Sequence, residues 1–217
     1  LHILNYVNDY QGIQDFVMLN DFYCTGGFLN IDLTHNVHLK NLSINNPSLI
    51  NIDLIHNTEL KELTFLMGTS ISSLDLSQNT LLTKLSIAGA YLLSNLNLTS
   101  NVILEELILE TTNITDIDLS QNSALKQFYL NANGIHHLDL SNNTALFNLK
   151  LWNVHLNSLN LIQSIGLEEL VISNSSIDNL DLSGNTNLTD LIIEGSAFNA
   201  VDLSANVALR RITLTGN

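Results

Sequence analysis

Seven aspartates recur along this chain: Asp32, Asp53, Asp75, Asp118, Asp139, Asp181 and Asp202. Asn97 and Asn160 fill the two gaps, so every step is 21 or 22 residues. Stacked in one file, such carboxylates could hold hard cations, which take about six to eight oxygen ligands each. One carboxylate per step supplies few of those oxygens. The two asparagines suit a file of solvated groups bonded to nearby Ser hydroxyls and turn N–H groups, so no metal is expected. Seven histidines raise the same question. His35 and His56 share one position in successive steps, with His38 close by, and His136, His137 and His155 form a second loose group. Neither group has a zinc spacing or a dedicated Cys or carboxylate set, which leaves them as surface turn residues.

Catalytic signatures are absent. There is no Gly-rich phosphate loop, no G-x-S-x-G elbow and no H-E-x-x-H, and no motif pairs a nucleophile with a base. Lys and Arg total only 7, and the two arginines, Arg210 and Arg211, stand together at the end of the chain. A non-enzymatic protein without a cofactor is expected. The single cysteine, Cys24, excludes an intrachain disulfide, and it stands where other steps have Leu, Ile or Phe, as a small buried hydrophobe would.

The file of aspartates belongs to a longer phrase, aspartate-leucine-serine-any-asparagine. A fixed period of about 20–30 residues over a whole chain marks a solenoid, each copy forming one coil stacked on the next. Each copy has two L-x-x-L-x-L segments, for example Leu125 to Leu130 and Ile135 to Leu140. Alternation of this kind is the period of a strand with one buried face, and the segments are too short for stable helices. The expected fold is β-rich: nine to ten coils adding rungs to two parallel sheets, with little or no helix. Residues 1–217 read as one array, with 1–18 a degenerate first repeat. Both ends fall inside the pattern without a polar cap, so a fragment of a longer chain is expected, with targeting signals outside it. Two copies have an extra residue, placed near Leu66 to Ser70 and near Leu92 to Asn95.

The asparagine closing the phrase recurs at Asn36, Asn57, Asn79, Asn101, Asn122, Asn143, Asn185 and Asn206, with Ser164 once in its place. An inward amide can donate to and accept from the turn backbone of its own and adjacent coils. The column reads as scaffold.

The pattern resembles the leucine-rich repeat family. Ile135-x-x-Leu138-x-Leu140-x-x-Asn143-x-x-Leu146 fits its repeated segment, and the 21-residue copy with L-D-L-S-x-N looks most similar to bacterial internalin-like surface repeats. The resemblance covers about residues 19–217. It implies a non-catalytic binding module at a bacterial cell surface or outside the cell, acting in protein recognition or adhesion. One departure is that the first segment rarely ends in Asn: that position holds Pro47, Gly68, Ala90, Thr112, Asn133, Val154, Ser175, Ser196 and Asn217. Which sheet is the concave one is thereby left open.

Columns that vary between copies are free to be shaped by a ligand. The outward column of the first segment runs Ser43, Thr64, Ser86, Ile108, Tyr129, Lys150, Val171, Ile192, Thr213, and the column two residues on includes Glu110, Asn131, Trp152 and Glu194. Both ends are small and polar, while the middle has Tyr129 beside Trp152, with Glu106, Glu110, Glu169, Asp190 and Glu194 around them. Aromatic side chains with a polar rim have the composition of a binding hot spot. The candidate ligand-binding residues are therefore Ile108, Glu110, Tyr129, Asn131, Lys150, Trp152, Glu169, Val171, Ile192 and Glu194. A protein partner is expected first. A glycan stacked on the aromatics is a second reading, and a structural spacer or surface-layer stalk a third. The net charge of -14 disfavours nucleic acid, and no apolar run reaches the ~20 residues of a membrane span.

Overall fold

The computed structural model describes residues 10–66, 68–131, 134–198 and 200–217. Ten strands form one parallel sheet, ordered as they occur in the chain: Asp21–Thr25, Asn41–Asn45, Glu62–Phe65, Lys84–Ala88, Glu106–Glu110, Gln127–Asn131, Asn148–Trp152, Glu169–Ser173, Asp190–Glu194 and Arg211–Thr215. Each is a first segment of the repeat. Period-2 alternation sends Leu107 and Leu109, or Leu149 and Leu151, into the core and their neighbours outward. Rungs of Leu, Ile and Phe stack into one continuous apolar core from Ile13 to Ile193. Among the described residues there is no α-helix, only a 3-10 turn at Ile13–Asp15.

The second continuous sheet suggested by the alternation does not form. Second segments pair only briefly: Asn30–Ile31 with Asn51–Ile52, His137–Asp139 with Ser158–Asn160, and His155–Leu156 with Ser176–Ile177. A local turn bond accompanies this in every copy, including those that pair. The Asp or Asn at the centre of the segment takes the backbone N–H two residues on, as in Ser120 N–H to Asp118 Oδ1 at 2.9 Å and Thr99 N–H to Asn97 Oδ1 at 3.0 Å. A side chain that captures its own backbone competes with a strand ladder.

The asparagine column is a ladder. Asn122 is fully buried, and its Nδ2 donates to Leu98 O at 3.1 Å and to Asn101 O at 2.8 Å, both in the preceding coil. Asn57, Asn79, Asn101, Asn143 and Asn206 repeat the pattern, and Asn36 makes it to Ile13 O and Phe16 O. Residues 10–18 thus carry the rung below Asn36; Leu1 to Asp9, the rest of the expected degenerate repeat, lie outside the described residues. Only the donors are used: the Oδ1 atoms of the eight asparagines have no hydrogen-bond partner, so the acceptor role expected of them is not seen. Ser164 makes one long bond, Oγ to Leu140 O at 3.4 Å.

A second polar file, which reading the sequence missed, runs where the first segment ends. Ser175 Oγ accepts from Val154 N–H at 3.2 Å, Ser196 Oγ from Ser175 N–H at 3.1 Å, and Asn217 Oδ1 from Ser196 N–H at 3.1 Å. Its signal was present in Thr112, Ser175, Ser196 and Asn217, small polar residues at the position that seemed to depart from the repeat. Asn133, at the same position, is outside the described residues. The chain turns just ahead of this file through a left-handed residue, Gly89, Thr111, Asn153, Asn174, Gly195 or Gly216. Only Thr111, at φ 52°, is β-branched there.

The extra residues stay at the turns. One follows the strand Glu62–Phe65, where Leu66 is exposed and Gly68 N–H returns to Ala88 O; Met67 is not among the described residues. The other falls at Tyr91 and Leu92, slightly ahead of the stretch expected, since Leu93 is again buried.

Candidate functional site

The outer face of the ten-stranded sheet carries the candidate residues. Strand register places Ile108 beside Tyr129, Tyr129 beside Lys150, Lys150 beside Val171 and Val171 beside Ile192. The adjoining file runs Glu110, Asn131, Trp152, Ser173, Glu194 in the same register. Each alternates with a core residue, so all ten candidates share one face.

Their side chains are organised against one another. The rings of Tyr129 and Trp152 meet edge-on at 6.2 Å between centroids and 64° between planes. Such a pair adds about 0.5–1.5 kcal/mol beyond the area it buries. Lys150 Nζ lies 5.4 Å from the Tyr129 ring centroid and 3.2 Å from Glu169 Oε1. Tyr129 Oη donates to Gln127 Oε1 at 2.7 Å, Asn148 Nδ2 donates to Glu169 Oε2, and Asn153 Nδ2 donates to Asn131 Oδ1 at 2.9 Å. Gln127, Asn148 and Asn153 were not among the candidates. They hold the aromatic pair and its neighbours in set positions, which limits the side-chain entropy lost when a ligand binds. The patch is half-buried, and Val171 is only 8% exposed.

One expectation needs correction. Aromatics on the outward column are not confined to the middle, because Tyr23 pairs in register with Ser43 at the other end and is exposed.

The aspartate file is bonded as a turn device. Hydrogen bonds from the residue two positions on hold five of the carboxyls below the usual range. The hydroxyl is the larger cause at Asp32 (Thr34), Asp118 (Ser120) and Asp181 (Ser183), and the backbone N–H is the larger at Asp75 (Ser77) and Asp202 (Ser204). Among the described residues no three His, Cys, Asp or Glu side chains come together as a metal site. The histidines are engaged singly: His38 with Glu59 at 2.8 Å, His136 with His155 O at 2.8 Å, and His137 with Ser158 Oγ at 3.1 Å. Cys24 is buried, and burial pushes its thiol up to about 12, so it is inert at neutral pH. A polar groove of about 420 Å³ lies on the second-segment side, lined by Asn97, Thr99, Thr115, Asp116 and Asp118, away from Tyr129 and Trp152.

One continuous parallel sheet per array, a leucine core and a buried asparagine ladder define a leucine-rich-repeat solenoid. Solved structures bear this out. The chain is similar to the functional domain of InlJ from Listeria monocytogenes, which includes a cysteine ladder: TM-score 0.80, 24% identity, 96% of this chain and 51% of that one. It is similar to a leucine-rich-repeat protein of Leptospira interrogans, with TM-score 0.82, 19% identity, and 93% and 56% covered. Internalin C2 of Listeria monocytogenes matches with TM-score 0.63 and 20% identity over 93% of this chain and 82% of that one. The chain therefore has the fold of the internalin-type repeats and spans about half the length of the first two. Where InlJ is described with a cysteine ladder, this chain builds its ladder from asparagine. No protein-family model and no curated protein matches the sequence.

Proposed function

We propose that the array is a non-catalytic protein-binding module, working at a bacterial surface or outside the cell, and that its ligand contacts the outer face of the sheet around Tyr129 and Trp152. The observation that carries this reading is the preorganised aromatic pair: the chain's one tryptophan stands on the open face, packed on Tyr129 and flanked by Lys150. Buried aromatic anchors inside a polar rim are where interface energy concentrates. The ten candidate residues form one surface, with Ile108, Val171 and Ile192 extending the apolar strip and Asn131, Lys150 and Glu169 supplying polar contacts. The likeness to internalin-type folds supports a protein partner and an extracellular setting.

The test is paired capture. Wild-type array and a Tyr129→Ala/Trp152→Ala variant are presented to bacterial and host surface-protein extracts and to a glycan panel, with circular dichroism confirming that the variant is folded. A protein ligand held by the wild type and lost by the variant is the expected result. A ligand held equally by both, or a glycan held only through the aromatics, would overturn the reading. Capture of nothing would move the spacer reading to first place.

A further inference from the structure

The charges of the sheet face are not balanced evenly. On one margin the carboxylates face cations of neighbouring coils: Glu106 with Lys84 at 3.0 Å, Glu169 with Lys150 of the central file at 3.2 Å and Asp190 with Arg211 at 3.3 Å. On the other margin, in the file of Trp152, two carboxylates have no such partner. Among the described residues neither Glu110 nor Glu194 has a cation or a hydrogen-bond donor on its side chain, and Glu194 is exposed. Register sets them symmetrically: Glu110 lies two coils before Trp152 and Glu194 two coils after it. At about 4.8 Å per coil, the two carboxylates stand roughly 19 Å apart with the indole midway.

Resting on the protein-binding reading above, we propose that the partner is a basic protein segment running across the strands, with two Lys or Arg side chains seated on Glu110 and Glu194 and an apolar side chain between them on Tyr129 and Trp152. The two glutamates act as specificity determinants. In a protein of net charge -14 they remain solvated until a cation of matching spacing neutralises them. Anionic partners are rejected by the same pair. A span of roughly 19 Å is about six residues of extended chain, at about 3.3 Å each. On the opposite margin Glu106, Glu169 and Asp190 are already neutralised by cations of neighbouring coils. Glu62 provides a control: it is an exposed carboxylate on the same face but away from the aromatics, and among the described residues no cation or donor engages its side chain.

The probes are synthetic peptides without tryptophan, each with two arginines four, six or eight positions apart and leucines at the even positions between them, so that all these side chains share one face of an extended chain. Binding is read from the fluorescence of Trp152, the chain's single tryptophan. The six-position peptide should bind tightest. Glu110→Gln/Glu194→Gln should weaken it about tenfold and flatten its salt dependence, while Glu62→Gln leaves it unchanged. The substituted glutamates make no side-chain bond, so the variants should fold as the parent. If Glu110→Gln/Glu194→Gln binds all peptides as the wild type does, while Tyr129→Ala loses them, the charge pairing is overturned and the binding face stands. If Tyr129→Ala also binds normally, both readings fall. Equal affinity for all three spacings, or no response to any peptide, overturns the spacing.

Discussion

First and second segments are held against the next coil by different means. The first segments are joined by main-chain bonds in a ten-stranded sheet, and their outward side chains differ in nearly every coil. The second segments have little main-chain pairing and depend on side chains: Asp or Asn closing its own turn, and a buried Asn reaching two carbonyls of the coil before. Where the main chain does the joining, side chains are free to vary, and a ligand face can be written there. Where side chains do the joining, each copy must repeat the same residues.

Substitutions on the two sides should sharpen or break that contrast. The largest effect is expected inside the ladder. Asn122→Ala removes two buried amide bonds and leaves Leu98 O and Asn101 O with only their turn N–H donors, so at about 1 kcal/mol for each bond urea denaturation should show a loss of about 2 kcal/mol. On the opposite face, Tyr129→Ala/Trp152→Ala should cost less stability than that single change. Equal losses on the two sides would remove the distinction between scaffold and face.

A gain is expected at Ser164, the weak rung. Ser164→Asn supplies two donors where one hydroxyl now makes a 3.4 Å bond, and the neighbouring rungs show that an amide fits the site. The thermal midpoint should rise by about 2–4 °C, for about 1 kcal/mol. A fall would mean that the ladder is not the bonding device described.

The smallest effect belongs to the aspartate file. The folded-state pKa values of Asp32, Asp75, Asp118, Asp181 and Asp202 are depressed, so their contribution is present above the unfolded value of about 3.9 and is lost as pH falls through the folded values. Asn97 and Asn160 already make the same turn bond without a charge. Replacing the five aspartates by asparagine should therefore leave melting at pH 7 nearly unchanged and flatten the decline below about pH 4. An identical acid decline in both proteins would contradict the turn-bonding account.

The period was legible in the sequence because every coil needs the same buried Leu and Asn, and the period dictated the stacking. It also brought the candidate face together, since residues one period apart must be neighbours. Which segment makes the sheet was harder to see. The monotonous L-D-L-S phrase looks the more ordered, yet Asp and Asn are depleted in strands, while the first segments hold Ile44, Phe65, Ile87, Phe128, Val171, Ile172 and Ile193, which suit a pleated surface. That residue bias was the available signal. The pairings of Gln127, Asn148 and Asn153 were not legible, because they depend on which rotamer reaches across a coil.

The most direct test of the central claim compares the two sides with one ligand. The affinity of a captured protein is measured for the wild type, for Tyr129→Ala/Trp152→Ala on the sheet face, and for Asp118→Asn/Asp139→Asn on the second-segment side. The account predicts a loss on the order of a hundredfold or more for the face variant, since each anchor carries about 2 kcal/mol or more, and no loss for the other. Binding that survives the face substitutions and fails with the aspartate substitutions would place the ligand on the opposite side of the solenoid and contradict it.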